Sequence, residues 1–312
     1  MNTGTPLDLT SFGALLSAIG WVYWIFALAA LGAAVYWPKR PAIKATLALV
    51  AIAAFGYLPA SYVLRIQTAE QRQRVAYTHF QMLCKEAGVR VARPGKGIEG
   101  VYLVKIRPDG VSSHDQFTPD DVYGHDAGGA EYIKTFLRVT EGANTKTNQF
   151  GEVPNIPKAG YRWVEAHDAN DKRLYRYTLA YKAVQIKSDD EWAAVKKNYP
   201  DGTRENYDVV LEKKLVANTA ARYSVNWVDI STRDDREHWI AGGVVQIVDL
   251  ETKETVAERK GFMWDKGMGS LAGHRSPWLF AKDTVCPPFR PTEEGRAYWT
   301  SQFTWSALEP LP

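Results

Sequence analysis

Residues 11–37, SFGALLSAIGWVYWIFALAALGAAVYW, contain no charge, and neither do residues 45–64, ATLALVAIAAFGYLPASYVL. A helix that crosses a bilayer needs about 20 apolar residues, so each stretch is long enough to span. Buried core helices of such length nearly always show a polar face, and these do not. Between them lies PKRPAIK, with Lys39, Arg40 and Lys44. The pattern predicts a transmembrane helical hairpin over residues 1–64, with spans at about 11–37 and 45–64. Pro59 removes one helical hydrogen bond from the second span. Tyr36 and Trp37 suit a membrane interface, and Tyr57 and Tyr62 suit the other.

Beyond residue 64 the pattern becomes amphipathic. Ala69, Val75, Ala76, Phe80 and Leu83 approximate a helical stripe, with Gln71, Arg72, Arg74 and Lys85 off it. This predicts a stalk helix over 65–88 with Gly88 as its C′ residue. After Gly88 the period shortens to that of strands, predicting a soluble domain over 89–312. VRVA (89–92) and GVYLVKI (100–106) read as strands. YRWVEAH and LYRYTLAYKAV, joined by DANDKR, read as a hairpin. HWIAGGVVQIVDL and TVAERKGFMW, joined by ETKE, read as another, with an expected bulge near Gly242–Gly243. YDVVLEKKLV and ARYSVNWVDI are further strands. AEYIKTFLRV, the capped SDDEWAAVKKNY and residues 293–306 read as helices. The expected fold class is α+β: a transmembrane hairpin, a stalk, then an antiparallel-sheet meander with flanking helices.

Charge adds orientation. Lys39, Arg40 and Lys44 sit in a very short loop with no Lys or Arg before the first span. The positive-inside rule therefore places the loop in the cytoplasm and the large domain outside, periplasmic in a bacterium; Arg65, Arg72 and Arg74 oppose this from the far side. The first ten residues have no cationic n-region, so both spans are expected to remain as anchors rather than be removed as a signal peptide. Residues 65–312 carry 35 basic and 34 acidic side chains. That near-neutral balance argues against a nucleic-acid surface. The Ala29/Ala33, Ala30/Ala34 and Gly56/Ala60 pairs allow close helix approach, within the hairpin or between copies of the chain.

Candidate chemistry is sparse. Cys84 and Cys286 are too far apart in sequence for a zinc motif, and in an external domain a disulfide is expected between them. Three of the six histidines precede an aspartate, at His114–Asp115, His125–Asp126 and His167–Asp168. Imidazole beside carboxylate is used in metal ligation and general-base work. The first two pairs occupy one polar loop, where turn formation and solvation account for them more simply. No cofactor is expected, and no catalytic centre, though a hydrolase built on His114, Asp115, His125 and Asp126 is the rival reading. WVDISTRDDREHWIAGG (227–243) is the most residue-specific stretch. Trp227, Asp234, Asp235, Arg236, His238 and Trp239 suggest a binding rim of aromatic and charged groups, with Asp234–Asp235–Arg236 as a charged turn. No G-x-S-x-G elbow accompanies its Ser, His and Asp. The glycines of GFMWDKGMGSLAGH follow no phosphate-loop spacing and read as turn residues.

The two apolar spans, the signature WVDISTRDDREHWIAGG and the tail SPWLFAKDTVCPPF resemble a family of two-pass proteobacterial inner-membrane proteins. The resemblance covers most of the chain and carries over no activity. It implies, by association, an accessory role in envelope conflict, as an immunity or exclusion factor against secreted toxins or in phage defence. The expected partners are the bilayer and a protein. A structural envelope component is the remaining reading.

Overall fold

A computed structural model describes residues 11–109, 115–117, 122–123, 127–141, 150, 152, 157–288 and 296–312. In chain order the described elements are α1 (Ser11–Tyr36), α2 (Pro41–Cys84), β1 (Gly88–Val91), β2 (Gly95–Ile98), β3 (Gly100–Leu103), α3 (Gly129–Lys134), β4 (Val139–Glu141), β5 (Trp163–His167) and β6 (Leu174–Ile186). They continue as α4 (Asp189–Asn198), β7 (Glu205–Leu215), β8 (Tyr223–Asp229), α5 (Arg233–Glu237), β9 (Ile240–Asp249), β10 (Thr255–Trp264), α6 (Pro277–Phe280), β11 (Val285–Cys286), α7 (Arg296–Ala307) and β12 (Leu308–Pro310). The chain divides into two compact units between Arg72 and Gln73, inside α2.

In the first unit two apolar helices, α1 and the first part of α2, are each long enough to cross a membrane. Their large side chains point outward, Trp21 at 73% and Leu49 at 67% exposure. In water such exposure would oppose folding. Tyr23 bridges the helices: its hydroxyl donates to the Phe55 carbonyl and its ring meets the Phe55 ring edge-on at 5.8 Å. α2 runs unbroken to Cys84, so the second apolar stretch and the expected stalk are one helix. Gly88 opens β1 instead of capping it.

The second unit is mixed α/β, built on a ten-stranded sheet that is mostly antiparallel. Its main path runs β1-β10-β9-β8-β3-β5-β6-β4, with β11 on β10 and β7 on β6. The β5–β6 and β9–β10 hairpins form as the alternation and turn residues predict. A simple meander does not: β3 inserts between β8 and β5 and is parallel to both. β4 is parallel to β6, and β2 forms a separate parallel pair with β12. The expected bulge at Gly242–Gly243 is also absent. Both glycines keep register with Phe262 and Gly261, and the irregularity lies between Thr255 and Ala257. Gly242 instead leaves room for a ring, since an added Cβ would lie 2.5 Å from Phe262.

One core joins Val101, Leu103, Val164, Val225, Trp227 and Ile247 of the sheet to Tyr132, Ile133 and Phe136 around α3 and to Phe303 and Ala307 of α7. A smaller one packs the end of α2, through Ala76 and Phe80, on Ile240, Phe262 and Trp264. Only this part of the stalk stripe is buried, while Val75 stays 51% exposed. The expected helix at 130–139 stops early: α3 ends at Lys134 and Val139 begins β4. α4 forms with the capping box expected of Ser188 and Glu191. Cys84 and Cys286 form a disulfide.

Candidate binding site

β3 borders a surface hollow through Tyr102. Across its two ladders Tyr102 faces Glu165 of β5 and Ser224 of β8. Gly100 faces Trp163, where a Cβ would lie 2.2 Å from the indole, so only glycine lets the ring lie over the strand. The Arg176 guanidinium sits 4.3 Å from the Trp163 ring centre. Its Nε and Nη2 donate to Glu165 Oε1 at 3.0 and 2.7 Å. Glu165 is fully buried. Its second oxygen accepts from the Thr219 hydroxyl at 2.6 Å and the Ala220 amide at 2.9 Å. A buried carboxylate is tolerated only when its lone pairs are filled, and four donors fill these.

Ala220 and Arg222, in the segment strapped by Glu165, line both of two neighbouring hollows. One, of about 590 Å³, is lined by Tyr102, His167, Arg222, Glu251 and Lys253 among others. The other, of about 410 Å³, is lined by Lys96, Glu99, Trp163 and Arg222 among others. Tyr102 Oη and His167 Nδ1 are hydrogen-bonded at 3.0 Å. Partial burial raises the Tyr102 pKa, so the phenol stays protonated at neutral pH. Arg222 donates to Asp249 Oδ2 through Nε and Nη2 at 3.1 and 2.9 Å, which fixes the guanidinium beside the groove. The groove thus presents a phenol, an imidazole, an indole, a guanidinium and a Lys ammonium along one open surface. Its residues come from five stretches of the chain, at 96–102, 163–167, 174, 219–223 and 250–253, and nothing in their spacing marks them in the sequence.

The His-Asp pairs separate here. His167 faces the groove, while Asp168 turns away to Lys213 at 2.7 Å, the Asn170 amide at 2.9 Å and the Tyr177 hydroxyl at 3.3 Å. The Lys213 hydrogen bond, then that from Asn170, lowers the Asp168 pKa to about 2. His114, His125 and Asp126 lie outside the described residues. Asp115 closes a local turn through Phe117 N at 2.9 Å, and its carbonyl accepts from Trp278 Nε1 at 2.7 Å. Among the described residues no group of three or more His, Cys, Asp and Glu is placed to hold a metal ion.

The expected rim at 227–243 is largely internal. Trp227 is 4% exposed, in the main core beneath Lys105 and Arg107 at 5.0 and 5.5 Å. Its strand parity directs it to the covered face, which sequence proximity to charged residues cannot reveal. Asp234–Asp235–Arg236 is not a turn but the short helix α5, capped reciprocally by Thr232 and Asp235. Asp235 is buried, accepting from the Thr232 amide and hydroxyl at 2.7 Å each and from His79 Nε2 at 2.6 Å. Arg236 is buried too, donating to Asp229 and lying 5.4 Å from the Trp278 ring centre. Trp239 adopts φ 56°, just past the His238 C-cap of α5, and its ring meets Trp278 at 5.1 Å with a 38° tilt. Its indole lies against Gly269, where a Cβ would sit 2.1 Å away. Asp234 remains exposed and His238 partly so, with His238 Nδ1 donating to the Asp234 carbonyl at 2.9 Å. The segment is a structural knot joining α2, α5 and β9; of the expected rim Asp234 is exposed and His238 and Trp239 are partly so, beside the exposed Thr232, Arg233 and Glu237.

The glycine-rich stretch after β10 also closes on itself. Asp265 accepts from the Gly267 and Gly269 amides at 3.0 and 2.8 Å, filling the place an anion would take. No protein-family model, no curated protein and no solved structure matches this chain.

Proposed function

We propose that the chain is a membrane-anchored protein-binding domain. In this reading α1 and α2 cross a bacterial inner membrane as a hairpin, and the large domain lies in the periplasm. The groove between Tyr102, Arg222 and Lys253 receives a segment of a partner protein. Outward-facing apolar side chains on both helices support the anchor. The cationic Lys39–Lys44 turn supports the orientation, and so does the Cys84–Cys286 disulfide, a bond that persists in oxidising compartments. The resemblance to two-pass inner-membrane proteins adds the role of an immunity or exclusion factor.

The observation that carries the binding reading is the groove itself. Pockets for small molecules enclose roughly 70–90% of the ligand surface. Here two neighbouring hollows lie open along one surface, which suits a longer segment that stays partly in solvent. Tyr, Trp and Arg, enriched at protein interfaces, supply the contacts. Glu165 holds the wall from beneath, so the surface is preorganised.

A photo-crosslinking amino acid at position 253 in cells tests this, with position 184 on β6 as control. One adduct of defined mass from position 253, absent from 184 and weakened by Tyr102→Ala, is the expected result. No adduct, or the same adducts from both positions, overturns the binding reading.

A further inference from the structure

The contacts of α2 within the large unit run in order along β10. Gln73 Nε2 donates to the Lys266 carbonyl at 3.1 Å, and Tyr77 and Phe80 meet the Trp264 ring at 5.4 and 6.1 Å. Cys84 is bonded to Cys286, which pairs with Phe262, and Lys260 reaches Glu86 at 2.7 Å. α2 is therefore antiparallel to β10. The loop leaving β10, residues 265–280, lies at the end of the unit where the chain enters at Gln73. The β9–β10 turn lies at the other end, with the groove.

That loop is braced and its tips are apolar. Asp265, fully buried, is its centre: besides the two glycine amides it binds Arg275, whose Nη1 donates at 2.9 Å. The Arg275 guanidinium stacks 5.2 Å from the Phe280 ring centre. Around this brace Leu271, Leu279 and Phe280 are 56%, 47% and 49% exposed. Lys266, Ala272 and His274 of the same stretch are also exposed. Exposed single apolar residues are ordinary, but three on one braced loop that also carries a Lys form the composition of a membrane-interface contact. The chain reaches Gln73 only nine residues after Leu64, the last residue of a charge-free stretch.

We infer that the 265–280 loop is an interfacial anchor: Leu271, Leu279 and Phe280 enter the headgroup boundary of the bilayer that holds α1 and α2, with Lys266 facing lipid phosphates. This rests on the anchoring part of the proposed function and is independent of the groove.

The test uses the full chain in phospholipid vesicles. An environment-sensitive fluorescent amino acid is placed in turn at positions 271, 279, 252 and 49. Positions 271 and 279 should be quenched severalfold more by a lipid-borne quencher than position 252, and shielded from aqueous iodide. Position 49, within α2, reports the span itself. If 49 is lipid-quenched while 271 and 279 behave like 252, the interfacial anchor is wrong and the membrane span stands. If 49 is also quenched only by iodide, the anchoring reading and this inference fall together. Lipid quenching at 279 that survives Leu271→Asp and Phe280→Asp combined would likewise overturn insertion by this patch.

Discussion

The carboxylate of Glu165 holds the hydroxyl of Thr219 at 2.6 Å, across 54 residues of sequence. Through this bond and that to the Ala220 amide, β5 fixes the wall of the groove before β8 begins. The contact lies within the core of one unit, so it acts on both stability and surface shape.

Glu165→Ala should destabilise the large unit by about 3 kcal/mol, read as a lower urea midpoint, because it strips a buried hydrogen-bonded ion pair of one member. Thr219→Ala should cost less, about 1.5–2 kcal/mol, since the hydroxyl's bonds to the carboxylate and from the Ala221 amide are lost while Arg176 and the Ala220 amide still hold Glu165. It should still weaken crosslinking from position 253. Equal destabilisation by the two variants would show that Glu165 is no network centre.

Cys84→Ser with Cys286→Ser removes a link across 202 residues. The chain-entropy model sets an upper loss of about 5 kcal/mol for a loop of that length. Non-reducing mass spectrometry of freshly isolated membranes should find the two peptides joined. Free, alkylatable thiols at both positions would remove the bond and one support for the periplasmic placement.

Fusing alkaline phosphatase after Pro312 tests that placement directly. An active phosphatase is the expected outcome, with a cytosol-dependent fluorescent protein dark at the same position. The reverse pattern would put the Lys39–Lys44 turn outside and the large domain in the cytoplasm.

Asp168 gives a pH signature. Its folded pKa, about 2, lies below its ordinary 3.8, so its contribution is full above about pH 4 and falls as pH drops toward 2. Lys213, whose pKa the Asp168 hydrogen bond raises, contributes below its ordinary value and loses its share only in strong alkali. Asp168→Asn should therefore flatten stability between about pH 4 and pH 2 relative to the parent chain. An unchanged acid profile would mean the pair carries no net stability.

Trp227→Ala should cost about 3–5 kcal/mol as a large buried side chain. Trp239→Ala, half-buried against Trp278, should cost less in a thermal melt. A Trp227 variant with unchanged melting and lost crosslinking would restore it as an exposed anchor.

Much of this architecture is local and was therefore legible. The apolar helices follow from uninterrupted hydrophobic runs, α4 from its Ser188–Glu191 cap, and the β5–β6 and β9–β10 hairpins from alternation around short polar turns. The placement of β3 was not legible. Parallel pairing with Trp163 and Ser224, tens of residues away, leaves no turn signal, and Gly100–Leu103 would suit many positions in a sheet. The same holds for the sides of residues. Trp227, Asp235 and Arg236 look like a solvent rim in sequence, yet strand parity and the α5 cap turn them inward. The groove exists only where segments around Lys96, Tyr102, Trp163, His167, Arg222 and Lys253 converge. Sequence by itself determined the local elements, because hydrophobic period and capping act over a few residues. Tertiary structure decided strand order, burial and the groove, because those depend on contacts between segments whose chemistry becomes specific only once they meet.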